Sequence, residues 1–529
     1  AAVAITASGY CQTGAVGSVY PSVGTSPVTY GVTFTDAAGK TVVAPGLPTI
    51  EIQDNTSTYQ STSGTINTTG GTVAFSINQS AQTFTLTPSS SSISGAAVNI
   101  KGVPPSGTDA LSFAVTKSFS FYTGSAPPAH NFVAAVQQTG VGSGVVDFYN
   151  VSLGANTPGS DTFSAYSPAS LAVTNSTNEG KADVNNPTDV AWDSNGDLLV
   201  ANAGTNTTTD SGNMACVPAG AISTGANVAT TVSTNAFNPQ HLAYDSRDSS
   251  IALANNGTTA PYVMPEYTFP NNYVAASAPR NLAASGFGAT AVMSMPSATA
   301  GTYAVALTTG AEEDPAYSGT QGTNKVAVYT PSGTETDIKD DTHYGIDKPQ
   351  SLAWDNANGQ LVIANYSVYH PLVSFYSASY TQVKTINTTN QNYLVATSPD
   401  GHVAVAWIAA YGYSQVQVYD NTATRAAVGG PIPFNATSDS GVCTNYIYGT
   451  DGSLVNTMKW LSNTKLLIGV QAYSSGAATS KNGLYIYDIS NLTAPAGYDD
   501  LTCAGFSAAP TNTGFVQMTA KPLAAAFKT

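Results

Sequence analysis

The sequence predicts an all-β chain in two parts, a short sandwich of strands followed by a longer array of repeated sheets. Three observations predict it. Apolar and polar residues alternate in short runs that Gly, Pro, Asn and Asp interrupt about every ten residues. A strand–turn–strand phrase recurs at a spacing near 55 residues, and a strand with aromatics at alternate positions follows each copy. The chain is 529 residues long, more than one ordinary core can serve.

Residues 1–122 supply the first part. Val28–Thr35 alternate, turn at Asp36-Ala37-Ala38-Gly39 and resume at Thr41–Val43, a hairpin pattern. Strand-like runs follow at Thr49–Gln53, Thr72–Ile77, Gln82–Thr87, Ala97–Val103 and Leu111–Phe121. Seven or eight short strands in that length predict an immunoglobulin-like (Ig-like) β-sandwich. The Cys…Trp…Cys spacing of antibody domains is missing, so the expectation rests on pattern alone. Residues 123–130, with Pro127-Pro128, read as a linker.

The repeat fills 131–529. Asn186-Pro187-Thr188-Asp189-Val190-Ala191-Trp192-Asp193 leads through an Asn195-Gly196 turn to Leu198-Leu199-Val200-Ala201-Asn202. The phrase returns as Pro239–Asp245 with Ile251–Asn255, and as Pro349–Asp355 with Leu361–Asn365. Degenerate copies are expected at Gly288–Leu307, Tyr393–Trp407 and Met458–Val470. The aromatic strands are Val145–Tyr149, Tyr262–Tyr267, Lys325–Tyr329, Val373–Tyr376, Gln415–Tyr419 and Leu484–Tyr487. Strand, tight turn, strand and aromatic strand make one antiparallel blade, and the span predicts a seven-bladed β-propeller. Gly514–Ala520 is expected to close the ring by completing the blade begun at Asn131–Tyr149. The phrase resembles NHL-type and related seven-bladed propeller repeats. That resemblance implies architecture and leaves activity open, because propellers host many functions.

Composition narrows the partners. Only 9% of residues are charged, and 16 basic against 31 acidic side chains give a net −15. Nucleic acid and anionic membrane surfaces are poor partners for such a chain. No apolar run reaches the roughly 20 residues of a membrane span. The opening Ala1-Ala2-Val3-Ala4 looks like the product of signal-peptide cleavage, so a secreted or cell-surface protein is expected. Four cysteines fit disulfides in that setting. Cys443 and Cys503 flank one blade and are the expected pair. Cys11 and Cys216 would bridge the two parts, bond between chains or stay free.

Candidate sites are sparse. The turns after Asp193 and Asp355 resemble the start of a calcium loop but lack the closing Glu, and a hairpin turn demands the same residues. Glu312-Glu313-Asp314 is the densest acidic cluster, followed by Asp337, Asp340 and Asp341 with His343 and Asp347. No cofactor is expected, calcium being the one metal these loops could hold. The strand-ending Asp193, Asp245 and Asp355 read as structural. His241 occupies the repeat position of Asp189 and Ser351 and could face the channel. Eleven Asn-x-Ser/Thr sequons, Asn365 among them, make a glycoprotein an option. Tyr366, Tyr369, Tyr411, Tyr413, Tyr446 and Tyr448 fall in loops, outside the periodic core.

The leading expectation is a non-enzymatic surface, matrix or filament subunit that uses the propeller as an interaction scaffold. Its partner would be another protein or a second copy of itself. Strand-like Ala1, Ala2, Val3, Ala4, Ile5, Thr6 and Ala7 could add to a neighbour's sheet edge, the alternative being first strand of their own sandwich. The other readings are a carbohydrate- or ligand-binding propeller and a metal-dependent lactonase-like hydrolase.

Overall fold

The computed structural model describes residues 2–7, 19–35, 47–103, 115–140, 143–155, 157, 159–173, 186–203, 212–224, 230–231, 239–255, 263–264, 266–268, 274–275, 280–281, 288–308, 324–332, 334–338, 345–388, 390–408, 414–433, 453–472, 482–492 and 513–528.

Among the described residues ten strands build the first part: β1 Ala2–Ala7, β2 Val19–Val23, β3 Val28–Thr35, β4 Thr49–Gln53, β5 Tyr59–Gln60, β6 Ser63–Thr68, β7 Gly71–Asn78, β8 Thr83–Pro88, β9 Ala96–Val103 and β10 Val115–Gly124. They form two five-stranded sheets, ordered β1-β3-β8-β7-β6 and β2-β10-β9-β4-β5. Alternation decides which side chains go inside. In β9 every second residue is buried, putting Val98 and Ile100 inward and leaving Ala97 exposed. Both sheets feed one core, in which Tyr30 stacks on Phe84 at 4.9 Å beside Phe119. β2 pairs in parallel with β10, the one parallel ladder among the described residues.

The rest is a seven-bladed propeller, a ring of seven four-stranded antiparallel sheets. In blades 2 to 7 the repeat phrase supplies the innermost strand: Pro187–Trp192, Pro239–Asp245, Gly288–Ser294, Pro349–Asp355, Gln391–Thr397 and Ser453–Trp460. The second strand of each blade is buried on both faces between neighbouring sheets. Leu198–Asn202 and Ser250–Asn255 are buried at every position, so they read as continuous apolar runs.

Ring closure differs from expectation. Gly514–Gln517 does not join the first blade; it pairs with Gly483–Asp488 as the outer strand of blade 7. The closing strand is Lys521–Lys528, which lies against Phe132–Gly140 as the innermost strand of blade 1. Near the axis, where seven strands converge, Ala524, Ala525 and Ala526 fit and are buried. Ser143–Ser152 and Thr162–Val173 complete that blade.

Blade 1 carries a half-buried acid, Asp147. Gln137 Nε2 donates to Asp147 at 2.5 Å, while Gln137 Oε1 accepts from the Ala520 amide at 2.8 Å, leading into the closing strand. Burial pushes the Asp147 carboxyl up to about 6, against a hydrogen bond from Tyr149 that lowers it. A raised acid pKa favours the folded state below the unfolded value, near 4, and that advantage is lost as pH rises through about 6. Asp147→Asn should therefore flatten the loss of stability between those values and raise stability at pH 7. Urea melts across that pH range check it.

The two parts meet at helix α1, Ala219–Thr224, which packs on β2 and β10. Gly24 donates its amide to the Gly124 carbonyl at 2.6 Å, bracing the end of β10. A Cβ at Gly124 would overlap the Gly220 carbonyl oxygen and crowd the Ser223 hydroxyl. Gly124→Val should therefore loosen this junction while each part stays folded. Limited proteolysis between residues 124 and 132 should become faster in the variant.

Candidate functional site

The innermost strands share one irregularity that shapes the channel they surround. Each carries a β-bulge near its start, at Thr188, Gln240, Thr290, Gln350, Tyr393, Asn456 and, in the closing strand, Leu523. The bulge turns polar side chains toward the next blade. Thr188 Oγ1 donates to the Pro239 carbonyl at 2.7 Å, Thr290 Oγ1 to Pro349 at 2.6 Å and Asn456 Nδ2 to Pro522 at 2.9 Å. The Tyr393 hydroxyl accepts from the Val455 amide at 3.2 Å.

The position after the bulge continues the pattern. Ser351 Oγ accepts from the Val395 amide at 3.2 Å, and Asp189 Oδ2 from the Leu242 amide at 3.0 Å. His241 Nδ1 lies 3.4 Å from the same Asp189 oxygen. Burial works against the Asp189 carboxylate, but His241, the charge of Lys459 and the Leu242 amide together hold its carboxyl below the usual range. His241 thus faces the channel, paired with an acid already committed to a neighbouring backbone.

Two spaces with shared lining residues lie along the axis. One, of about 260 Å³, is lined by all seven innermost strands and holds Asp189, His241 and Lys459. The other, of about 540 Å³, opens where those strands end and is walled by Trp192, Trp354, Trp460 and Phe527. These aromatics occupy one repeat position, four residues past the bulge. Indole N–H groups fix two of them: Trp192 donates to the Ala526 carbonyl at 3.4 Å and Trp460 to Ala396 at 3.2 Å. Lys459 lines both spaces.

The strand-ending aspartates staple blades and turns. Asp193 Oδ1 accepts from the amides of Asn195 and Asp197, closing its own hairpin. Asp245 binds Arg247 at 2.6 Å, whose guanidinium also reaches the Met295 carbonyl of the next blade at 2.9 Å. Asp355 is paired with buried Arg425 at 2.5 Å, and Arg425 lies over the Phe375 ring at 4.9 Å. Their oxygens meet backbone amides and guanidinium groups, which is the structural role read from the sequence.

The remaining candidates scatter. Asp337 sits on an exposed outer strand, paired with Lys325 at 2.9 Å, and Glu335 joins the same ammonium. Glu312, Glu313, Asp314, Asp340, Asp341, His343, Cys11, Cys443 and Cys503 lie outside the described residues. Among the described residues no three His, Cys, Asp or Glu side chains gather as a metal site. Cys216 is buried and disulfide-bonded, its partner lying outside the described residues. The Asn365 sequon is fully buried, its amide donating to the Gly345 carbonyl at 2.9 Å, which corrects the glycan expectation there. Ala2–Ala7 is an edge strand of its own sandwich, paired antiparallel with β3 from Ala2↔Thr35 to Ala7↔Tyr30.

Asp347, grouped by the sequence with Asp337 and His343, is buried and meets a distant partner instead, with His370 Nδ1 3.2 Å from its Oδ2. Asn324 Nδ2 reaches the other Asp347 oxygen at 3.3 Å. The three residues lie 23 positions or more apart in three different connections, so no local motif announces the cluster. Beside it Tyr369 and Val368 are exposed. Among the described residues no helix is long and apolar enough to cross a membrane.

No protein-family model and no curated protein matches the chain. Solved structures do resemble it. The Swd1 β-propeller domain from Myceliophthora thermophila is 9% identical with a TM-score of 0.39, covering 66% of this chain and 90% of its own. A provisionally assigned 6-phosphogluconolactonase from Bacteroides fragilis is 11% identical with a TM-score of 0.42, covering 75% of this chain and 97% of its own. A functionally unknown protein from Desulfotomaculum acetoxidans is 14% identical with a TM-score of 0.41, covering 73% and 98%. These are similarities of fold at most, and the propeller itself rests on the seven sheets described above.

Proposed function

We propose that this chain is a non-enzymatic, secreted or cell-surface assembly protein that uses its propeller as an interaction scaffold and self-associates through β1. The observation that carries the reading is the position of β1, a short strand that among the described residues pairs with β3 alone, at the edge of its sheet. Such an edge presents backbone donors and acceptors to a further strand, and here that strand is β1 of a second copy. The bulge residues support a scaffold role, because their polar groups are spent on joining blades. The low charge and the disulfide-bonded Cys216 support an extracellular setting. On the same reading the sandwich is Ig-like, from its strand order, and the repeats are of the NHL kind, from their phrase.

Deletion of residues 1–7 tests the mechanism. Sedimentation should show concentration-dependent oligomers for the full chain and monomers for the deletion. Oligomers of equal size in both would overturn the role given to β1.

A further inference from the structure

The wider space on the axis combines features that seldom meet by chance. Three of the chain's four tryptophans wall it, together with Phe527. Its volume of about 540 Å³ lies within the range of small-molecule sites, which pair apolar walls with few convergent polar groups. Those walls belong to innermost strands, and two of the three indoles, Trp192 and Trp460, are held by hydrogen bonds to neighbouring blades.

Its charged group is Lys459, at the waist shared with the narrower space. Three residues past the bulge, the other blades carry Ala191, Ala243, Met293, Ala353, Ala396 and Ala526. Lysine thus interrupts a ring of otherwise apolar residues. Lys459 is exposed to the channel and has no ion-pair or hydrogen-bond partner among the described residues. Asp189 feels its charge from the narrower space and is itself engaged by His241 and Leu242. A blade contact would have used the ammonium, as it uses Arg425 and Arg247.

We propose that this cavity binds a small organic carboxylate, its apolar or aromatic body between the tryptophans and its carboxylate on the Lys459 ammonium. A carboxylate is favoured over a neutral ligand because an ammonium with no hydrogen-bonded counter-charge in an aromatic-walled cavity gains most from an opposite charge. The site is independent of β1 and of self-association, so either proposal can fail alone.

Calorimetric titration with naphthalene-2-carboxylate tests it, with naphthalene-2-carboxamide as the uncharged isostere. The acid should bind saturably to the wild type, and the amide about tenfold more weakly or not at all. Lys459→Met should weaken acid binding by about tenfold without changing the unfolding temperature, and Lys459→Arg should restore most of it. No saturable binding of the acid to the wild type, or equal binding by Lys459→Met, would overturn the proposal.

Discussion

Lys465→Met is expected to destabilise the protein by about 3–5 kcal/mol, the usual cost of leaving a buried ion without its partner. Lys465 opens the second strand of blade 7, and its ammonium lies 3.0 Å from both Asp161 and Asp488. All three side chains are almost fully buried. Asp161 belongs to blade 1, so this triad is a polar seal across the closing seam of the ring. Asp161 also accepts from the Thr513 hydroxyl and, at 2.7 Å, from the Gly154 amide, which fixes it in place. Without the ammonium, two carboxylates remain buried side by side. Chemical denaturation should show a lower midpoint, with Lys465→Arg losing less. A change below about 1 kcal/mol, the scale of an exposed pair, would mean the seam does not depend on this cation.

Deletion of residues 521–528 should have the other large effect. The closing strand is the innermost strand of blade 1, contacting the innermost strands of blades 2 and 7. Its loss bares the ladder edge of Phe132–Gly140 and opens the ring, giving an aggregation-prone edge. The truncated chain should lose cooperative unfolding and bind a hydrophobic dye, and the separate strand peptide should restore both. Unchanged unfolding in the truncated chain would show that the ring does not close through this strand.

That strand also marks where reading the sequence succeeded and where it stopped. Innermost strands were legible because Pro, an apolar pair, an aromatic and Asp recur in order, each with a geometric task. Pro522-Leu523-Ala524-Ala525-Ala526-Phe527 is the same phrase stripped to proline, small residues and an aromatic. Its proline takes the register place of Pro187, Pro239 and Pro349, ahead of the bulge. Without Asp and the turn behind it, the copy was hidden, and the alternating Gly514–Ala520 looked the better strand. Asp161 and Lys465 lie 304 positions apart, so only the closed ring brings them together. The cavity was half legible: the aromatic of the phrase was visible, but Lys459 stood in a degenerate copy whose alignment depends on the bulge. His241 was placed toward the channel from its repeat position, and its link to Asp189 follows from neighbouring blades sharing that position.

The proposed role as an assembly subunit is tested most directly by molar mass in solution. Light scattering on this 529-residue chain, purified without denaturant, should give a mass many times the 53.9 kDa of its residues. A single 53.9 kDa species at every concentration would contradict the account.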